Sequence, residues 1–282
     1  MFWTRFKSAL VFVPLILAVS YVGGAVYGVF MLAVLGIDAW EYWRLLKTMG
    51  YYVSFPLMLA GVLALLLLRL FTGFTFMDLA MVVILVASAI LSLHRFEKQD
   101  AQAVLTFALH VSGILYIGWL GAYFFSLRSL PNGAWWTMLS IGLVMLVDLG
   151  AYAIGVKFGK HKIFPRLSPR KSWEGYAGGI LFGAGFGALL GLILTPVMPE
   201  LTIWEGALMG LVIGALAPFG DIFVSMLKRI AGVKDSGTLI PGHGGILDRT
   251  DTWIWAAMLG YYLSQLFSRS EEHTSELQSR QS

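Results

Sequence analysis

Long apolar runs separated by short polar stretches make up almost the whole chain. The runs cover residues 9–35, 51–71, 76–93, 103–126, 134–156, 175–197, 204–227 and 252–267. Most have the length, roughly 20 residues, that carries an α-helix across hydrocarbon. None shows the period-two alternation of a membrane β-barrel strand. A helix satisfies its own backbone hydrogen bonds in lipid, so the pattern predicts an all-α, polytopic integral membrane protein. The first run is too long for a simple crossing. A helix over 9–35 would measure about 40 Å, against a hydrocarbon core of about 30 Å. Gly23-Gly24 stands in its middle. The run therefore reads as two short helices folded back at the glycines, for about nine membrane helices. One tilted helix is the alternative and gives eight.

Composition supports the membrane reading. The chain is 58% hydrophobic and 13% charged, with a mean hydropathy of +0.76. A soluble domain carries about 25% charged residues, so there is too little polar surface here to cover a water-soluble particle. No segment has the size or polarity of a soluble domain. The expected partners are the lipid bilayer, lipids and small molecules, with no nucleic acid. The absence of cysteine excludes disulfides, thiolate metal sites and cysteine nucleophiles.

Charge sets the orientation, because basic loops stay in the cytoplasm. Arg5 and Lys7 precede the first run, and Arg44 and Lys47 follow it in 36–50. Arg95 and Lys98 lie in 94–102, and Lys157, Lys160, Lys162, Arg166, Arg170 and Lys171 in 157–171. Lys228, Arg229, Lys234 and Arg249 lie in 228–250. With nine helices, sixteen of the twenty Lys and Arg face the cytoplasm. The N-terminus is then inside, the C-terminus outside, and the expected location is the cell's inner (cytoplasmic) membrane.

Three regions follow. Residues 1–130 are a hydrophobic scaffold for dimerisation or lipid access, and 131–267 a catalytic membrane region. Residues 268–282, with RSEEHTSELQSRQS, are a disordered or non-native tail. Within GGILFGAGFGALLG (178–191), Gly179, Gly183 and Gly187 recur every four residues. That spacing lets membrane helices approach closely. It serves internal packing or a homodimer.

The chemistry gathers in SMLKRIAGVKDSGTLIPGHGGILDRTD, residues 225–251. If a helix begins near Leu247, Asp248 and Asp251 share one face of its first turn. Its free N–H groups and positive dipole end favour anions. Carboxylates beside such an end suit a divalent cation that also touches phosphate oxygens. Mg²⁺ fits that role, with or without a second cation. Gly242, Gly244 and Gly245 let backbone approach a ligand. His243 either hydrogen-bonds a phosphate or is structural.

Asp221 is a third carboxylate, within an apolar run just after Pro218 and Gly220. The proline should kink its helix. An acid at membrane depth needs a cavity, a partner or a metal. Lys228 is seven residues on, about 10 Å along a helix, so an ion pair would have to come from another element. Asp148 is the fourth carboxylate. SPRKSWEG (168–175) packs Ser168, Arg170, Lys171, Ser172 and Glu174 into one short stretch. Cations and hydroxyls there suit a phosphate, although single basic residues at this face equally serve the positive-inside signal. Together these groups suit phosphoryl or nucleotidyl transfer, in which catalysis is mostly positioning and charge neutralisation.

The 225–251 stretch resembles the signature of the phosphatidate cytidylyltransferases, also called CDP-diacylglycerol synthases. The matching positions are Ser225, Lys228-Arg229, Lys234-Asp235, His243-Gly244-Gly245, Asp248-Arg249 and Asp251. SPRKSWEG and DLGAYAIGVKFGKHK look like two further elements of that family, so the resemblance covers about residues 140–265. Val224, Leu149, Arg170 and Ser172 depart from its usual residues. The resemblance implies cytidylyl transfer from CTP to phosphatidate, yielding CDP-diacylglycerol and pyrophosphate. In that reading Asp221, Asp248 and Asp251 hold Mg²⁺, and Lys171, Lys228, Arg229 and Arg249 neutralise phosphate. Asp148, Ser168, Arg170, Ser172, Glu174, Ser225, Lys234, Asp235, His243, Gly244 and Gly245 line the substrates. The alternatives are a related CTP-dependent enzyme acting on an ether-lipid phosphate or a polyprenol, a cation transporter using Asp148 and Asp221, and a structural scaffold.

Overall fold

The structure is a computed structural model that describes residues 14–239 and 244–281. Helices α1 (residues 14–22), α2 (Gly24–Thr48), α3 (Phe55–Thr72), α4 (Met77–Glu97) and α5 (Ala103–Gly113) come first. A π-helical stretch, Ile114–Trp119, joins α5 to α6 (Tyr123–Arg128). Then follow α7 (Gly133–Phe158), the strands β1 (Lys162–Phe164) and β2 (Ser168–Ser172), α8 (Trp173–Leu194), α9 (Ile203–Leu216), α10 (Pro218–Ile230) and α11 (Leu247–Gln281). Among the described residues, seven helical segments are long and apolar enough to cross a membrane, with α5–α6 and α9–α10 each forming one. Besides these seven, α1 covers the described residues 14–22, and α11 carries the apolar run 252–267.

The first run is broken where the glycines stand. Gly23 and Gly24 adopt φ of 68° and 55°, a left-handed conformation that glycine enters at little cost. Arg128 latches the reversal, its Nε donating to Ser20 O at 2.8 Å and its Nη2 to Tyr21 O at 3.3 Å. Ile16 then lines one small apolar cavity with Phe30, Met31 and Val34, so α1 folds back along α2.

The loop expected over 36–50 is helix instead, because α2 continues to Thr48. Asp38, Glu41, Tyr42, Leu45 and Leu46 form a buried face there. Arg44 and Lys47 lie over Trp40 and Trp43, at 4.7 and 5.1 Å from the ring centroids.

Pro218 divides the 204–227 run. It lacks a donor for the ladder and starts α10 directly after Ala217. Thr202 and Glu205 form a capping box that fixes where α9 begins. The glycine stripe of α8 is covered within the chain. Gly183 faces the backbone of Gly210, and Gly187 that of Gly206, both on α9. Outward apolar side chains confirm the lipid face. On α4, Leu79, Val82, Val83, Val86, Ile90 and Leu93 are all exposed and fall along one helical stripe.

Residues 157–171 are not a plain basic loop. They end α7 and form a two-stranded antiparallel hairpin, β1 with β2, the one ordered sheet among the described residues. Glu174 clasps its base, taking N–H bonds from Lys160 and His161 at 3.2 Å and standing 2.6 Å from His161 Nδ1. Ser172 caps α8 by accepting Gly175 N–H. At the other end of the chain, α11 runs to Gln281 without a break, through the segment expected as a disordered or non-native tail. No glycine or proline follows Gly260 to stop it, and most residues there are compatible with helix.

Candidate functional site

A cavity of about 330 Å³ opens between α7, α8, α10 and the hairpin. Asp148 and Tyr152 of α7, Arg170, Lys171 and Ser172 of β2, Tyr176 of α8 and Asp221 of α10 line it. Their placement follows from local causes. The Pro218 break sets Asp221 in the first turn of α10, where the helix dipole favours an anion. The hairpin carries Lys171 back over the membrane end of α7, so its Nζ stands 2.6 Å from Asp221 Oδ2. Ser225, one turn along α10, donates to Asp221 Oδ1 at 3.2 Å. The partner of Asp221 thus comes from another element, as the sequence spacing required. Asp148 is exposed to the cavity, within reach of the charges of Asp221, Lys171 and Arg249.

A second hollow, almost wholly apolar, adjoins the first. Tyr116, Phe164, Leu167, Phe219, Phe223, Met226 and Trp255 line it, and Ile222 lines both. The cavity that holds the charged groups and the apolar hollow therefore share one lining residue, Ile222, beside Asp221.

The Asp248–Asp251 turn lies behind this wall. α11 begins at Leu247, where the sequence places a helix start. Asp248 is saturated: Oδ1 takes Lys228 Nζ at 2.6 Å, and Oδ2 takes Ser236 N–H and Gly245 N–H at 2.8 and 2.9 Å. Its side chain is 4% exposed. Asp251 is buried and caps its own neighbour, Thr252 N–H, at 2.7 Å, while its Oδ2 has no partner. Tyr116 OH reaches Asp251 O at 3.3 Å. Gly220 lets α10 touch α11, since a Cβ there would fall on Asp251 O.

The structure thus brings Asp148, Arg170, Lys171, Ser172 and Asp221 into one cavity. It does not bring Asp221, Asp248 and Asp251 together as a ready metal cluster, and among the described residues no group of three such side chains does so. The physical reason is that lysines already occupy two of the three, Lys171 on Asp221 and Lys228 on Asp248. Glu174 serves the hairpin, and Ser168 begins β2. Arg229 Nε ties α10 to the hairpin turn at Leu167 O, 3.2 Å away. Lys234 and Asp235 are exposed in the loop. Gly244 turns with φ of 85°, close against the side chains of Asp248 and Asp235, and Gly245 packs on Glu41 and Ser236. His243 lies outside the described residues.

Two site residues were not singled out from the sequence. Glu41 of α2, fully buried, accepts Ser236 Oγ–H at 2.6 Å and the N–H groups of Ile246 and Leu247 at 3.1 and 3.0 Å. Bonds to a carboxylate contribute about 1.5–3 kcal/mol each. Asp38, also buried, accepts Thr250 Oγ1–H at 2.8 Å. The signal was present in IDAWEYW (37–43): two acids three apart, hence on one helix face, among aromatic and aliphatic neighbours.

Comparison with known proteins widens the resemblance. The model of a family described as the cytidylyltransferase family matches residues 3–267, well beyond 140–265. A protein of Synechocystis named phosphatidate cytidylyltransferase is 44% identical over 137 residues, 48% of this chain and 45% of that protein. One of the same name from Staphylococcus epidermidis is 36% identical over 187 residues, 64% and 65% of the two chains. One from Mycobacterium tuberculosis is 38% identical over 135 residues, 48% and 40%. The chain spans between 40% and 65% of the length of these relatives.

Proposed function

The chain belongs to the cytidylyltransferase family, and on that premise we propose that it transfers the cytidylyl group of CTP to phosphatidate, giving CDP-diacylglycerol and pyrophosphate. The observation that carries the reading is the meeting of the two compartments at Ile222. An amphiphile with a phosphate head fits them: the head among Lys171, Arg170 and Asp221, the acyl chains along the aromatic groove. The names of the relatives support the choice of acceptor. On this reading the basic end faces the cytoplasm of the inner membrane, where CTP is found, and the bilayer supplies the lipid.

The step is an in-line displacement. A phosphatidate oxygen forms a bond to the α-phosphorus of CTP, and the bond from that phosphorus to the β-bridging oxygen breaks. The electron pair leaves with pyrophosphate. The acceptor is already an anion, so no protein nucleophile or base is needed. The chain's own residues position and neutralise. Lys171 exchanges Asp221 for a phosphate oxygen, and Arg170 offers a second cation at the same wall. Ser172 and Tyr176 bound the space for the head.

The three acids would take a divalent cation only once Lys171 and Lys228 are displaced from Asp221 and Asp248. Asp221 and Asp248 each hold an ammonium at 2.6 Å, a stand-in positive charge, and Asp251 Oδ2 is buried without a partner. Asp221, Asp248 and Asp251 would hold Mg²⁺, alone or with a second cation, and phosphate oxygens and water would complete the shell. When bound, the ion offsets triphosphate charge.

The test uses the protein in vesicles containing phosphatidate, with labelled CTP. CDP-diacylglycerol should form, and EDTA should suppress it by roughly a hundredfold or more. A labelled product that forms only with an ether-lipid phosphate or a polyprenol would overturn the choice of acceptor. No labelled lipid with any acceptor would overturn the reading. A second expected result concerns Gly220→Ala. The added methyl meets Asp251 O and Trp255 Cδ1 and displaces α10 with Asp221. Transfer should fall about tenfold to a hundredfold, since small misplacements are costly, measured as kcat on folded protein.

A further inference from the structure

Two carboxylates of α2 reach the signature region from far away in sequence. The hydrogen bonds that Glu41 accepts span 195 residues from Ser236 and 206 from Leu247, and the one that Asp38 accepts spans 212 from Thr250. Each lands beside a residue already placed in the site. Ser236 is gripped twice, by Glu41 through its hydroxyl and by Asp248 through its N–H. Gly245, whose N–H also binds Asp248, packs against the Glu41 carboxylate. Ile246 and Leu247, which Glu41 holds, lead directly into Asp248. Thr250, which Asp38 holds, precedes Asp251.

The start of a helix needs acceptors for its free N–H groups, and a local Ser, Thr or Asp usually supplies them. Here the acceptor comes from another helix. A local cap would satisfy the same donors and leave the loop free to move with α11. Glu41 instead ties the loop to α2. The loop is rich in glycine and has few fixed dihedrals of its own. The placement of Ser236, Ile246 and Leu247 therefore depends on the side chain behind them.

We infer that Glu41, backed by Asp38, is a positioning residue for cytidylyl transfer. It touches no substrate and fixes where Asp248 and Asp251 present their oxygens. The inference rests on the transfer reading above. It accounts for two buried acids in a helix that the signature does not include.

The test compares Glu41→Gln and Ser236→Ala with the unaltered protein in phosphatidate vesicles. The readouts are kcat, KM for CTP, the Mg²⁺ concentration giving half-maximal rate, and the yield of folded protein. Glu41→Gln keeps the size but turns an N–H₂ toward donors. Its kcat per folded molecule should fall roughly tenfold to a hundredfold, as when supporting groups around a metal site are changed, and its half-maximal Mg²⁺ should rise. KM for phosphatidate, measured alongside, should stay within about twofold, because Glu41 lines neither the charged cavity nor the apolar hollow. Ser236→Ala should move kcat and Mg²⁺ dependence in the same direction by less. If folded Glu41→Gln keeps normal kcat and Mg²⁺ dependence, with loss only in yield, the residue is a structural tie and the inference is overturned. If Glu41→Gln does not fold, Ser236→Ala decides, and an unchanged kcat there overturns it. Unaltered protein that makes no CDP-lipid would overturn the transfer reading itself, and this inference with it.

Discussion

Asp221→Asn is expected to lower the proposed CTP-dependent transfer by about a thousandfold or more, while the protein remains folded. Asparagine keeps the shape, so the Pro218 break and the start of α10 are undisturbed. What goes is the charge beside Lys171 Nζ, now 2.6 Å from Asp221 Oδ2, and one of two acceptor oxygens, so the remaining amide oxygen serves Lys171 or Ser225 but not both. Electrostatic groups at a transfer centre typically account for about 10²–10³ in rate each. Asp221 serves twice, holding Lys171 in place and offering a carboxylate more open than those of Asp248 and Asp251. A thousandfold loss corresponds to about 4 kcal/mol. The measurement is CDP-lipid formation per folded molecule. Activity above about a tenth of the unaltered level would remove Asp221 from the centre of the site.

The largest structural effect is expected at the contact between α8 and α9. A side chain at Gly210 would run into Gly183 O and the backbone of Ala184. Backbone has little room to yield, so Gly210→Leu separates the two helices. Overpacking of this kind costs typically 1–3 kcal/mol and occasionally more. With backbone on both sides, about 3 kcal/mol is a lower figure. Monodisperse protein after extraction should fall at least tenfold. Gly185→Leu, on the partner helix α8, is the control. It is exposed and meets nothing within 4 Å, so its yield should match the unaltered chain. Equal losses in the two variants would mean that the glycines matter for insertion rather than for packing.

Much of the fold could be read from hydropathy because lipid imposes a simple rule of length. The helix break at Pro218, the reversal at Gly23-Gly24 and the helix start near Leu247 each had a local cause in the chain. The hairpin had none. Its strands, KIF and SPRKS, carry no alternation, and their pairing depends on Glu174 closing the base. The extension of α2 was hidden for a related reason. Arg44 and Lys47 looked like a loop signal, but their cationic ends lie over Trp40 and Trp43 on a helix.

The site was legible by residue type and only partly by arrangement. Asp148, Lys171 and Asp221 do share a cavity. Asp248 stood out as a ligand candidate, yet its oxygens hold the loop together through Lys228, Ser236 and Gly245. Spacing on one helix turn says which acids are neighbours. It does not say which donors have claimed them. Glu41 and Asp38 escaped because their partners lie about 200 residues away, and no local pattern encodes a meeting at that range.

That long reach has a consequence for how the protein is made. α2 enters the bilayer long before the ribosome has produced Ser236, Ile246 or Thr250. Until then Glu41 and Asp38 lack the donors that later satisfy them, and an unpaired acid within a bilayer costs about 2.5–3.5 kcal/mol at helix centre. The nascent α2 must sit shallow, or be shielded by the insertion machinery, until α11 arrives. A chain stalled before that point would display two naked acids in the membrane, a mark by which quality-control proteases could tell unfinished copies from finished ones.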